Sequence, residues 1–97
     1  MIQMTLEFSG EIIYWRGPAP FYFVAVPPEQ SSDIKAISGL VTYGWGCIPV
    51  YARIGATEYK TSLFPRNGGY VVPVKDAVRK AEALGQGDVV AVRLEIR

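Results

Sequence analysis

The chain contains no histidine. That removes the commonest general base, the usual partner of a serine or cysteine nucleophile, and the commonest metal ligand. Cysteine is almost absent: Cys47 stands alone, so no internal disulfide and no thiolate cluster can form. With no imidazole to activate it, and just ahead of an apolar strand, Cys47 reads as a packed thiol in or near the core. No stretch approaches the roughly 18 consecutive apolar residues that a membrane helix needs. Charge of one sign is lacking too. Ten Lys and Arg against nine Asp and Glu leave a net +1, which gives no strong pull toward nucleic acid or anionic lipid. Met1 to Phe8 alternate apolar and polar residues without a basic start or a cleavage site, so no secretory signal is expected. A lone free cysteine suits a reducing cytoplasm, the expected location. Gly44-Trp45-Gly46 and Asn67-Gly68-Gly69 carry neither a phosphate-loop Lys-Ser/Thr nor a dinucleotide fingerprint, so turn geometry accounts for them and no nucleotide cofactor is expected.

What is present is an ordinary globular balance: 97 residues, 49% hydrophobic and 20% charged. That is enough for one domain, residues 1–97, with one core. Met4, Leu6 and Phe8 alternate with polar residues as in a strand with one buried face, and Ser9-Gly10 predicts a turn into a paired run from Glu11 to Trp15. Gly17-Pro18-Ala19-Pro20 interrupts the pattern. Phe21 to Val26 is apolar throughout, as in a strand buried on both faces. After Pro27-Pro28 a helix is expected from Ser31 or Ser32, with Asp33 at its positive end and Ile34, Ile37 and Leu40 on one face. Gly39 and Gly44 mark its exit. Ile48, Val50, Ala52 and Ile54 form the inward face of the next strand, and Gly55-Ala56 turns the chain into Glu58 to Phe64. Tyr70 to Val74 is a strand. Lys75 or Asp76 opens a second helix with Val78, Ala81 and Leu84 as its stripe, and Gly85 is placed to end it with a positive φ. Val90, Val92, Leu94 and Ile96 then face inward on the last strand.

The halves share one plan. Tyr22, Val24 and Val26 match Tyr70, Val72 and Val74 as a strand entering a helix; Ile34 and Ile37 match Val78 and Ala81 on it; Ile48 to Ile54 matches Val90 to Ile96 as the strand leaving it. Neither half alone buries enough to be stable, so the two are expected to close one barrel, with Val24, Val50, Val72, Val92 and Leu94 in one cluster. The expected fold class is α+β and strand-dominated: a small single-chain split β-barrel with two short helices and a pseudo-two-fold internal duplication.

Tyr70-Val-Val-Pro-Val-Lys-Asp-Ala-Val-Arg-Lys-Ala81, followed by Leu84-Gly-Gln-Gly-Asp-Val-Val90, resembles the half-barrel of AbrB- and MazE-type proteins. Phe21-Tyr-Phe-Val24 with Pro27, Thr61-Ser-Leu-Phe-Pro65, Gly69-Tyr70, Val78-Arg79-Lys80-Ala81 and Gly87-Asp88 are similar to a second, uncharacterised family. That family is the domain of unknown function often found beside YdeI/OmpD-associated domains, and this likeness spans nearly the whole chain. The resemblance implies a split barrel in a single chain, with no catalytic or binding residues to carry over. The AbrB and MazE half-barrels that this chain resembles close from two swapped chains. A single chain holding both halves needs no such swap, so a folded monomer is feasible and a dimer stays open.

Chemistry is sparse. Glu7, Glu11, Asp33, Glu58, Asp76, Asp88 and Glu95 are spread singly, and solvation, capping or turn-building explains them, so no catalytic residue and no metal site is proposed. The aromatics remain. Trp15, Trp45 and Tyr51, with Tyr14 and Tyr43 near them, lie by turns or on strand faces; with Arg16, Arg53 and Arg66 they would line a shallow groove for a planar or anionic ligand. A small barrel also fills its core and ends with large rings, which accounts for the same residues without a ligand. Lys75, Arg79 and Lys80 make a modest basic patch that Asp76 and Glu82 dilute. The leading reading is a non-catalytic module that binds a protein or small molecule. The alternatives are a DNA-binding regulator or antitoxin-like protein, by analogy with AbrB and MazE barrels, and an enzyme acting on a small ligand.

Overall fold

From Met4 to Tyr14 the even-numbered residues turn inward and the odd-numbered ones outward without a slip. The computed structural model, which describes residues 3–41 and 46–97, therefore has one strand here, β1 (Met4–Trp15), and no hairpin at Ser9-Gly10. Gly10 is a corner of the barrel instead of a turn: a Cβ there would lie 2.6 Å from Val24 Cγ1. Through the corner and up to Glu11, opposite Val89, β1 pairs with the last strand; from Ile12, opposite Val24, it pairs with the next one.

The remaining elements are β2 (Phe21–Ala25), α1 (Pro28–Val41), β3 (Ile48–Ile54), β4 (Thr57–Arg66), β5 (Gly69–Pro73), α2 (Asp76–Glu82) and β6 (Val89–Ile96). The strands close a fully antiparallel barrel in the order β1-β2-β5-β4-β3-β6. β1 and β4 are shared by two walls: β6 and β3 complete the first, β2 and β5 the second. The alternating strands fill the interior as expected. Val24, Val50, Val72, Val92 and Leu94 belong to one buried cluster, with Ile12, Ile48, Leu63 and Ile96.

Exchanging β1, β2 and β3 for β4, β5 and β6 leaves the strand ring unchanged. The register makes the relation sharper. Val24 and Val72, matched between the halves by sequence, are cross-strand partners, and so are Ala52 and Leu94. A pseudo-two-fold axis relating the two halves must pass between just such self-paired positions.

The helices depart from expectation at their ends. α1 begins at Pro28, where a proline's missing N–H is no loss and its fixed φ is already helical. Ser31 thus sits inside the helix, buried, its hydroxyl donating to the Val26 carbonyl at 3.2 Å. Glu29, not Asp33, is the acid of the first turn. Ile34 is fully buried, but Leu40 is 74% exposed: the helix outruns the barrel that it packs on. Its exit at Gly44 lies outside the described residues. α2 ends earlier than the sequence suggested. Ala83, at φ 53 and ψ 50, is the left-handed residue, and Gly85 is not among those with positive φ. The turn to β6 is instead held by Asp88, whose carboxylate accepts the Gly85 N–H at 2.9 Å, and by Gly87 at φ 92. Val78 is the buried residue of α2, Leu84 packs against the core from beyond its end, and Ala81 faces outward.

Candidate ligand-binding site

The outward faces of the two walls differ in chemistry. On the first wall the register places Glu7, Arg93, Arg53 and Glu58 side by side across four strands. Arg93 Nε lies 3.9 Å from a Glu7 carboxylate oxygen, and Arg53 Nε donates to the Gly55 carbonyl at 3.3 Å. In the neighbouring row Glu95 lies opposite Tyr51, and Tyr51 opposite Lys60. The Arg97 guanidinium stacks 3.8 Å from the Tyr51 ring centroid and bonds Glu95 at 2.6 Å, which holds the Glu95 carboxyl below the ordinary carboxylate range. Lys60 Nζ is 5.2 Å from the same ring. The two central arginines oppose like charge to like, but each has a glutamate on its other side. This is a charge-compensated, solvated face.

The second wall presents apolar and aromatic residues outward. Ile13 lies opposite Phe23, Trp15 opposite Phe21, and Phe64 opposite Val71. Phe23 and Val71 are buried to 4% exposure, yet neither belongs to the barrel cluster. They form a second apolar patch outside the barrel. Neighbouring rings hold one another: Trp15 meets Phe21 edge-on at 5.6 Å, and Phe21 is 5.4 Å from Phe23. The indole folds over Gly17, where any side chain would collide with it. The Arg66 guanidinium lies 5.2 Å from the Phe23 ring and 5.7 Å from that of Trp15. Two aromatic faces thus position a cation that makes no ion pair with any described residue.

Over this patch runs a groove of about 670 Å³, bounded by Ile13, Phe23 and Val71 on its floor, by α1, and by the β4–β5 turn. The turn is Asn67-Gly68, at φ 51 and 80, the left-handed geometry of a tight hairpin. Gly69 lets α1 approach: a Cβ there would lie 3.2 Å from Ser31 Oγ. Lys35 and Ser32 reach the groove from α1 and Arg66 from β4, and no carboxylate lines it.

Of the residues singled out by sequence, the structure brings Trp15 and Arg66 together beside this groove. Arg16 follows Trp15 and is exposed, without lining it. Tyr51 and Arg53 face outward on the other wall, engaged by Lys60, Arg97 and the Gly55 carbonyl. Trp45 and Tyr43 lie outside the described residues. Tyr14 packs at a tilt against Tyr22, ring centroids 4.7 Å apart, and both line another, smaller groove. Missed were Ile13, Phe23, Phe64, Val71 and Lys35. For Phe23 the signal was the run from Phe21 to Val26, apolar on both faces where a barrel needs only one. Cys47 is buried, and among the described residues no group of three or more Cys, Asp or Glu is placed to hold a metal. No described helix is long and apolar enough to cross a membrane.

Fold and groove define a class: a small antiparallel β-barrel with an internal two-fold repeat and an apolar, ligand-sized groove outside its core. The chain belongs to the family described as Domain of unknown function (DUF1905), whose model matches residues 8–94. No curated protein matches the chain.

Proposed function

We propose that the protein is a non-catalytic binding module that recognises its ligand through the outer face of the second barrel wall. One observation carries this reading: an apolar groove lies outside the barrel, floored by Ile13, Phe23 and Val71, and its cations Lys35 and Arg66 form no ion pair with a described residue. A solvated wall needs no such patch, as the charged first wall of the same barrel illustrates. The absence of histidine and the dispersal of the carboxylates support a module without acid–base chemistry. The net charge of +1 argues against a DNA-binding regulator, since phosphate neutralisation supplies most non-specific affinity. A single free cysteine supports a cytoplasmic setting, and the exchange symmetry of the strands supports an architectural likeness to AbrB- and MazE-type half-barrels. Genomic association with YdeI/OmpD-associated domains belongs to the same proposal.

Amide chemical-shift mapping against a library of small aromatic fragments tests the reading. Hits should shift Ile13, Phe23, Val71 and the Asn67-Gly68 turn. Hits confined to the Arg53–Arg93 face would refute it.

A further inference from the structure

The pseudo-two-fold axis supplies an internal control for the groove. A second, smaller groove of about 390 Å³ lies at the symmetry-related place, between the β1–β2 connection, the end of β5 and the start of α2. Tyr22, Pro73 and Val74 there are the counterparts of Tyr70, Ala25 and Val26 in the first groove. Beside the second groove one cation has a carboxylate partner within the chain, although its Nε is buried without a hydrogen-bond partner among the described residues. The Arg79 guanidinium lies 3.8 Å from the Tyr22 ring centroid and forms a hydrogen-bonded ion pair with Asp76, one helical turn earlier.

The matched helices carry the comparison to the first groove. With the buried residues Ile34 and Val78 superimposed in sequence, Lys35 takes the place of Arg79 and Ser32 that of Asp76. The cation is kept and its carboxylate is gone. Lys35 and Arg66 both reach the first groove, and neither forms an ion pair with a described residue. Apolar walls, two cations and a missing carboxylate define what is absent.

We infer that the first groove binds a small organic carboxylate with a flat apolar body, its carboxylate standing at Ser32 where Asp76 stands in the second groove and its body lying on Ile13, Phe23 and Val71. This rests on the reading of that face as the binding surface and gives it a ligand class. Lys35 and Arg66 supply the charge, and the stacking of Arg66 on two rings orders it before the ligand arrives, which lowers the entropy lost on binding. The groove exceeds the volume of a single-ring acid, so ligands with one or two rings fit within it.

The test uses 3-phenylpropanoate and its neutral amide, 3-phenylpropanamide, titrated separately into the full chain and followed by amide chemical shifts. The acid is expected to shift Ile13, Phe23, Lys35 and Val71 and to bind about tenfold or more tightly than the amide, the size of one charge-assisted contact. Ser32→Asp restores the missing carboxylate at an exposed helical position, so the fold should be kept. In that variant the acid should lose about tenfold or more in affinity, while the amide should change little. Equal binding of acid and amide in this groove would overturn the carboxylate assignment and leave the binding face standing. Shifts on the charged first wall alone, or no binding of either compound at millimolar concentration, would overturn both.

Discussion

Gly10→Ala probes the corner on which the closure of the barrel depends. The new methyl would lie 2.6 Å from Val24 Cγ1, which belongs to a stiff β-branched side chain with no exposed surface. Val24 cannot swing away, because it sits at the self-paired position opposite Val72. Overpacking of this kind costs about 1–3 kcal/mol. Against it stands the reduced freedom of the unfolded chain, about 0.4–1 kcal/mol, available because Gly10 does not occupy the left-handed region. The net expectation is a loss of about 1–2 kcal/mol, or roughly 4–16 °C in Tm for a domain of this size. Val24→Ala alone should cost about 2–3 kcal/mol through lost burial and the cavity that it leaves. In the double variant the methyl added at position 10 occupies space that Val24 Cγ1 vacates, so the two losses should fall short of their sum by about 0.5 kcal/mol or more. Urea unfolding of all four proteins, with the m value checked for constancy, measures the cycle. Strict additivity, or a Gly10→Ala protein as stable as the parent, would refute the close-approach account.

Ala83→Gly should stabilise the protein by up to about 1 kcal/mol in thermal unfolding, since Ala83 holds a left-handed conformation that glycine adopts freely. Gly85→Ala should be neutral or slightly stabilising, because no atom lies within 4 Å of the added Cβ and its φ is not positive. Thr57→Val should cost about 1–2 kcal/mol in the same assay, since it removes the 2.6 Å hydrogen bond that the Thr57 hydroxyl donates to the Glu82 carboxylate across α2 and β4. Burial raises the pKa of Tyr59, whose hydroxyl donates to the Pro73 carbonyl at 2.9 Å. Above the ordinary value of 10.0 the unfolded chain loses a proton that the folded one keeps, so stability should hold up to about that pH and decline beyond it. Tyr59→Phe should flatten the alkaline decline in a pH series of urea midpoints.

The elements legible in sequence were those whose neighbours impose a single rule. β3 and β6 each have one face in the core and one in solvent, so strict alternation from Ile48 to Ile54 and from Val90 to Ile96 named their inward residues. Gly10 was not legible. A glycine after serine in an alternating run has the signature of a turn, and only the approach of Val24, a tertiary fact, makes it a corner. The helix ends failed for a similar reason. Ser31 has the chemistry of an N-cap, but a proline already opens the helix at Pro28, and the Ser31 hydroxyl is engaged by the Val26 carbonyl. Gly85 has the residue type of a helix stop, yet the chain leaves the helix two residues sooner, at an alanine. Of the candidate site, Trp15 and Arg66 were legible as an aromatic and a cation near turns. Nothing in the spacing told which wall Tyr51 and Arg53 would face, because alternation fixes in against out and leaves open which outward faces are neighbours.

Duplication turns the differences between the halves into information. Two strand–helix–strand units joined by a pseudo-two-fold axis occupy equivalent places in the strand ring, so the two grooves can be compared position by position. The core honours that equivalence: Val24 meets Val72 and Ala52 meets Leu94 at the axis. The outer surface does not. In one half Arg79 lies over the Tyr22 ring and pairs with Asp76, its buried Nε left without a hydrogen-bond partner among the described residues, while in the other Lys35 lines a groove with an apolar floor and Ser32 holds the position matched to Asp76. The pair in the second groove places a carboxylate of the chain itself, exposed to solvent, beside the cation. In the first groove Ser32 holds that position, and there the proposed ligand carboxylate meets Lys35 and Arg66.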